Sequence, residues 1–137
     1  MSRLKLDMDT LGLSSLLEKL AGVQVKDCFK EGETIYYVVG SGELGKALGR
    51  GGVIIHKLQD KLNQRVRVIE FQDNLLEFVK KVIYPLQPQQ ILEEENYIII
   101  HDDSKKTKSL LIGRDGRNLK VINRAVQRFF NKEVRIR

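Results

Sequence analysis

The chain has 137 residues, carries 24 Lys or Arg against 18 Asp or Glu for a net charge of +6, and is 42% apolar. Its one cysteine, Cys28, cannot support an intrachain disulfide framework and reads as a small buried hydrophobe in a reducing compartment. No apolar run approaches the ~20 residues of a membrane-spanning helix, and the opening Met1-Ser2-Arg3-Leu4-Lys5 has no secretory pattern, so a soluble, cytoplasmic protein without a membrane partner is expected.

The chain opens on an amphipathic helix in which Leu13, Leu16, Leu17 and Leu20 recur at helical spacing, with Asp9 or Thr10 as its cap and Gly22 as its stop. Val23 to Phe29 and Thr34 to Val39 predict a hairpin turning at Glu31-Gly32. A short helix, Gly42 to Leu48, runs into the loop Gly49-Arg50-Gly51-Gly52. The next helix carries Ile54, Ile55, Leu58 and Leu62 on one face, and a strand around Val66 and Val68 follows with alternating arginines. Then the order repeats. Asp73 is positioned to cap a helix through Leu75, Leu76, Val79 and Ile83 that Pro85 ends. Gln89 to Leu92 and Tyr97 to His101 predict a second hairpin, turning at Glu94-Glu95-Asn96. Ser104 or Asp103 caps a helix to Ile112, the loop Gly113-Arg114-Asp115-Gly116 follows, and a helix buries Leu119, Ile122, Val126 and Phe129. Val134 to Arg137 is the last strand.

The fold class is therefore α+β, in two tandem units of order α-β-β-α-loop-α-β, residues 1–72 and 73–137, each a three-stranded sheet packed by helices. The two loops start 64 residues apart, at Gly49 and Gly113. Segments 44–67 and 104–137, which contain them, hold 17 of the 24 basic residues and only 3 of the 18 acidic ones. Basic charge focused on a repeated element is the footprint of a nucleic-acid surface.

Glycine lets backbone amides approach a ligand closely and tolerates positive φ. Each loop also delivers the N-terminus of a helix, whose free N–H groups favour an anion. Arg50 and Arg114 occupy the same place in both loops and can add bidentate phosphate contacts. After the second loop Arg117, Lys120, Arg124 and Arg128 form a basic stripe opposite the apolar face, and Lys105, Lys106 and Lys108 crowd a helix start, where cations oppose the macrodipole. Asp115 sets an acid inside the second loop, which makes the two loops unequal.

Other chemistry is poorly supported. Gly40-Ser41-Gly42-Glu43-Leu44-Gly45-Lys46-Ala47 imitates a dinucleotide-binding turn and nearly a P-loop, yet Ala47 replaces the magnesium-binding hydroxyl and the helix breaks at Gly49. His56 and His101 fall in different copies with no ligand-spaced partner, so no catalytic residue, metal or cofactor is expected. Duplex DNA is the competing binding class, with Asn118 and Asn123 as the only obvious base readers. The Phe and Tyr residues mostly sit at apolar-pattern positions, against a stacking platform.

Gly42 to Ile55 and Leu110 to Leu119 resemble the GXXG segments of KH domains, and the element order is similar to the type II, prokaryotic form. A pair of such domains of this total length resembles the archaeal branch of the NusA family of transcription factors. Bacterial members of that family also carry a polymerase-binding N-terminal domain and an S1 domain, which this sequence does not contain. The resemblance implies single-stranded RNA binding, about four nucleotides per domain, in a groove between the GXXG edge and the adjoining sheet. It also implies action on nascent transcripts, in elongation, termination or antitermination, by a non-enzymatic monomer. The resemblance also implies RNA polymerase or ribosomal components as candidate further partners, and a role in ribosome assembly or RNA processing is the alternative. The implied RNA-binding residues are Gly49, Arg50, Gly51, Gly52, Val53, Ile54, Lys57 and Arg67 in the first copy. In the second they are Gly113, Arg114, Asp115, Gly116, Arg117, Asn118, Lys120 and Arg135, with Val66, Leu119 and Val134 adding to the groove floors.

Overall fold

The computed structural model describes the backbone of residues 2–137 and the side chains of residues 11–137. It is an α+β chain of two compact units, Met1–Phe71 and Gln72–Arg137, each holding a three-stranded mixed sheet. No helix among the described residues is long and apolar enough to cross a membrane.

The first unit runs α1 (Ser2–Ala21), β1 (Val25–Glu31), β2 (Thr34–Val39), α2 (Leu44–Leu48), α3 (Val53–Leu62) and β3 (Arg65–Glu70). The tight turn after Glu31 makes β1 and β2 antiparallel, whereas the α2–α3 crossover returns β3 parallel to β2. Alternation along β2 sends Ile35, Tyr37 and Val39 to the helices, where they meet Leu13, Leu17, Ala47, Leu58 and Val66 in one buried cluster. Tyr37 donates its hydroxyl to the Leu13 carbonyl at 2.8 Å, which satisfies the polar end of a fully buried ring. Burial, with Cys28 beside it, pushes that phenol well above its ordinary pKa. The first helix begins far before Asp9 and Thr10, which lie within it; the side chains of these two expected caps are outside the described residues. Leu20, grouped by spacing with the buried face, is exposed.

The second unit runs α4 (Leu75–Ile83), β4 (Gln90–Glu93), β5 (Tyr97–His101), α5 (Lys105–Ile112), α6 (Arg117–Phe129) and β6 (Glu133–Ile136). Its sheet repeats the pattern, β4 antiparallel and β6 parallel to β5. The cap of α4 is Asn74, not Asp73: its side chain accepts from the Glu77 amide at 3.0 Å, the bond that an extended N-cap residue makes to N3. Ser104 caps α5 in the same way, accepting from the Thr107 amide. The buried Asp102 carboxylate accepts from the Gln89 and Ser104 amides at 3.1 and 2.8 Å and so fastens the start of the hairpin to the start of α5. Val121, Ile122, Ala125 and Val126 form the buried face of α6, and Phe78 meets Phe129 edge to face at 5.7 Å. The acidic turn after β4 is held as well, since Lys132 donates to Glu93 Oε2 at 2.7 Å and to the Glu94 carbonyl at 2.8 Å.

Candidate nucleic-acid interface

The two glycine loops have almost the same backbone. Gly49 and Gly113 take φ/ψ of 77°/166° and 76°/171°, and Gly52 and Gly116 take 75°/17° and 75°/12°. Between them Gly51 (64°, 19°) and Asp115 (56°, 25°) both adopt the left-handed conformation. Aspartate is among the few non-glycine residues that enter that region at modest cost. Each loop closes with an amide-to-carbonyl bond of its own, Gly52 to Gly49 at 3.0 Å and Gly116 to Gly113 at 3.1 Å. The following helix starts at once, with Val53 or with Arg117.

The glycines are needed for two different reasons. A Cβ on Gly49 would lie 2.8 Å from the Ile54 side chain and 3.1 Å from its amide nitrogen, and one on Gly113 would lie 2.7 Å from Asn118 Cβ and 2.8 Å from its nitrogen. These first glycines let the helix pack back on its own loop rather than admitting a ligand. Around Gly51 and Gly116, by contrast, the Cβ direction is open space. Arg50 and Arg114 are exposed beside that open backbone, as are Lys57, Arg117 and Lys120. On α6 the stripe Arg117, Lys120, Arg124 and Arg128 is exposed along its whole length.

The structure reassigns several residues. Asn118 donates through Nδ2 to the carbonyls of Leu110 and Leu111 at 3.2 and 2.9 Å, so the amide expected to read a base instead caps the orphan carbonyls at the end of α5. Asn123, the other expected base reader, bridges to β6: its Oδ1 accepts from the Val134 amide at 2.7 Å and its Nδ2 donates to the Val134 carbonyl at 3.2 Å. Gln59 makes the matching bond in the first unit, accepting from the Val66 amide at 3.0 Å. Each lies ten residues beyond the first glycine of its loop, a repeat visible in the sequence but read there only for Asn123.

Beside these amides each unit has a cleft along the open edge of its last strand. The first, of about 890 Å³, includes Gln59, Val66 and Arg67, and the second, of about 490 Å³, includes Ile112, Leu119, Asn123, Val134 and Arg135. Val66, Leu119 and Val134 thus line these clefts. Val53, Ile54 and Asn118 lie outside both clefts and belong to the loop and its packing. Arg67 is half-buried, and burial lowers its pKa. Arg135 stacks over the Tyr97 ring at 3.9 Å while its Nε donates to Glu133 at 2.8 Å, a bond that raises its pKa.

The nucleotide-like turn is filled from within. The Glu43 carboxylate accepts from the Gln24 amide at 2.9 Å and lies 2.8 Å from where a Gly40 Cβ would be, and the Glu70 carboxylate accepts from the Gly42 amide at 2.8 Å. A phosphate there would face two carboxylates. His101 sits 3.4 Å from Asp103, and among the described residues no group of three or more His, Cys, Asp or Glu could hold a metal ion.

No model of a known protein family matches the chain. It is similar over nearly its whole length to archaeal proteins named "Probable transcription termination protein NusA". The Methanococcus vannielii protein is 29% identical over 130 residues, covering 90% of this chain and 72% of the relative. That of Thermoplasma acidophilum is 28% identical over 134 residues, covering 96% and 93%. The crystal structure of APE1850 superposes with a TM-score of 0.75 at 26% identity, covering 95% of this chain and 99% of that one. The chain is NusA-like in sequence, and its fold is that of a solved structure.

Proposed function

We propose that the chain is a non-enzymatic, tandem type II KH protein that binds single-stranded RNA and acts on nascent transcripts in elongation, termination or antitermination. The observation that carries this reading is the repeat of one loop geometry, an open backbone with an exposed arginine at its second position, beside a cleft on a strand edge. The loops offer amides and arginines to phosphates, and the clefts offer a narrow floor to bases. The similarity to proteins named for transcription termination supports the cellular setting, with RNA polymerase or ribosomal components as further partners of a cytoplasmic monomer.

Gly49, Gly52, Gly113 and Gly116 shape the loops. Arg50 and Arg114 contact phosphates, with Lys57, Arg117 and Lys120 flanking them. Duplex DNA fits less well, because the two candidate base-reading amides on α6 are committed to backbone groups.

The test is fluorescence anisotropy of a short labelled RNA against single-stranded and duplex DNA of equal length across a salt series. The comparison protein carries Arg50→Asp, Gly51→Asp, Arg114→Asp and Arg117→Asp. Gly51→Asp is compatible with the fold, since Asp115 already holds that conformation in the second loop. RNA preference with a steep salt slope in the wild type, flattened in the variant, is expected. Equal binding to duplex DNA, or an unchanged slope, contradicts the reading.

A further inference from the structure

The second unit divides its charge. From Lys105 to the end of the sequence it carries eleven Lys or Arg against Asp115 and Glu133, whereas from Val82 to Ser104 it has five acids and no Lys or Arg. That acidic stretch contains β4, an edge strand of its sheet. The Glu94 amide donates to the Tyr97 carbonyl at 2.8 Å to close the hairpin, and hydrogen-bonded pairs alternate from there. Leu92 and Gln90 therefore turn their backbone groups to β5, and Ile91 and Glu93 turn theirs to the open edge. Alongside lies a cavity of about 710 Å³ between α4 and the segment that enters β4. Its apolar wall is Leu76, Ile83, Tyr84, Leu86, Pro88 and Ile91, with the Tyr84 ring largely exposed. On the α4 side Glu77 and Lys80 pair at 3.3 Å. At the end of β4 Lys132 takes Glu93, while Glu94, within electrostatic reach of Arg135, and Glu95 are exposed.

We infer that the groove between α4 and β4 docks a protein partner: an extended segment that adds a strand to β4, sets alternate apolar side chains in the groove and carries Lys or Arg over the Glu94–Glu95 turn. The outward amides and carbonyls of Ile91 and Glu93 supply main-chain bonds to such a strand, and the cavity beside them selects its side chains. Ile91 lines the cavity together with the α4 residues, so the added side chain level with it, and those two residues to either side, point the same way. Those positions are apolar, and the ones between them face away from the groove. The charge argues for a basic segment and against RNA, because the strand and its turn supply acids where a phosphate needs cations. The site owes nothing to the glycine loops and stands whether or not they bind RNA. It gives the second unit two working sides, a basic one and an acidic one.

The experiment selects ten-residue peptides from a random display library on the full chain, with counter-selection on Leu76→Lys, which sets a cation in the groove wall. A second variant, Glu94→Lys/Glu95→Lys, changes only exposed side chains and guards against a folding defect in the first. The recovered peptides are expected to repeat apolar residues with period two and to carry Lys or Arg at one end. A fluorescein-labelled copy of the most enriched peptide is then titrated by anisotropy. Methylating its backbone nitrogens at every second position should abolish binding in one phase of the alternation and spare it in the other, because only one set faces β4. Glu94→Lys/Glu95→Lys should weaken binding several-fold, with the difference shrinking at high salt. The inference is overturned if no peptide is enriched on wild type over Leu76→Lys, or if the enriched ones have helical spacing or acidic ends. Equal loss from methylation in both phases also overturns it. A second copy of the chain is the other occupant: a wild-type dimer in sedimentation equilibrium that Leu76→Lys splits would assign the edge to self-association, and the inference fails.

Discussion

The first unit has Gly51 in its loop where the second has Asp115, and yet the two backbones agree within about ten degrees. Loop shape therefore comes from the flanking glycines and the helix packed against them, while the middle position is free to set charge. The rest of each unit follows the same division. The second has the longer basic helix and an arginine tied to Glu133 and Tyr97; the first has fewer cations, a wider cleft and a stacked pair of rings, Phe29 and Tyr36.

The largest expected break in this comparison is at the packing glycines. Gly113→Ala forces a Cβ to 2.8 Å from a backbone nitrogen at positive φ, and Gly49→Ala to 3.1 Å. Each costs about 3 kcal/mol in chemical denaturation, with Gly113→Ala the worse of the two. A Gly51→Ala control, in open space, costs about 1 kcal/mol. The strand-edge amides come next. Asn123→Ala leaves both the amide and the carbonyl of Val134 without their partner and costs about 2 kcal/mol, whereas Gln59→Ala loses one bond and costs about 1 kcal/mol.

A pH series probes the first unit's core. The Tyr37 phenol has a raised pKa in the folded state, so its contribution is complete below the unfolded value of about 10 and is lost as pH rises toward the folded one. Denaturation midpoints should fall above pH ~10, and Tyr37→Phe should fall less steeply there, at a cost near 1 kcal/mol at neutral pH. The smallest effect on stability is that of Asp115→Gly, under about 1 kcal/mol, because the residue already tolerates its conformation. Its RNA affinity should rise several-fold as the acid leaves the loop, and unchanged affinity would show that Asp115 does not face the phosphates.

The order of elements was legible in the sequence because hydrophobic period and turn residues agree at nearly every boundary. Asn74 displaced Asp73 as a cap by a single position, a choice that local pattern cannot make when both residues can cap. The glycine loops could be seen, but not that Gly49 and Gly113 serve packing, since the atoms they avoid, on Ile54 and Asn118, are brought close only by the helix start. Asn118 and Asn123 looked like base readers because an exposed amide and a capping amide are the same residue in a sequence. Tyr36 sat in an apolar pattern, and only strand register showed it stacked on Phe29 and opposite Arg67.

The central claim, that both loops hold phosphates of single-stranded RNA and the second contributes more charge, is tested most directly by measuring the salt slope of RNA binding loop by loop. Wild type is compared with Arg50→Asp/Gly51→Asp and with Arg114→Asp/Arg117→Asp by anisotropy at constant temperature. Each pair should flatten the plot of log affinity against log salt, the second pair more than the first, with thermal midpoints within a few degrees of wild type. Slopes that match wild type in both variants, with the fold intact, would contradict the account.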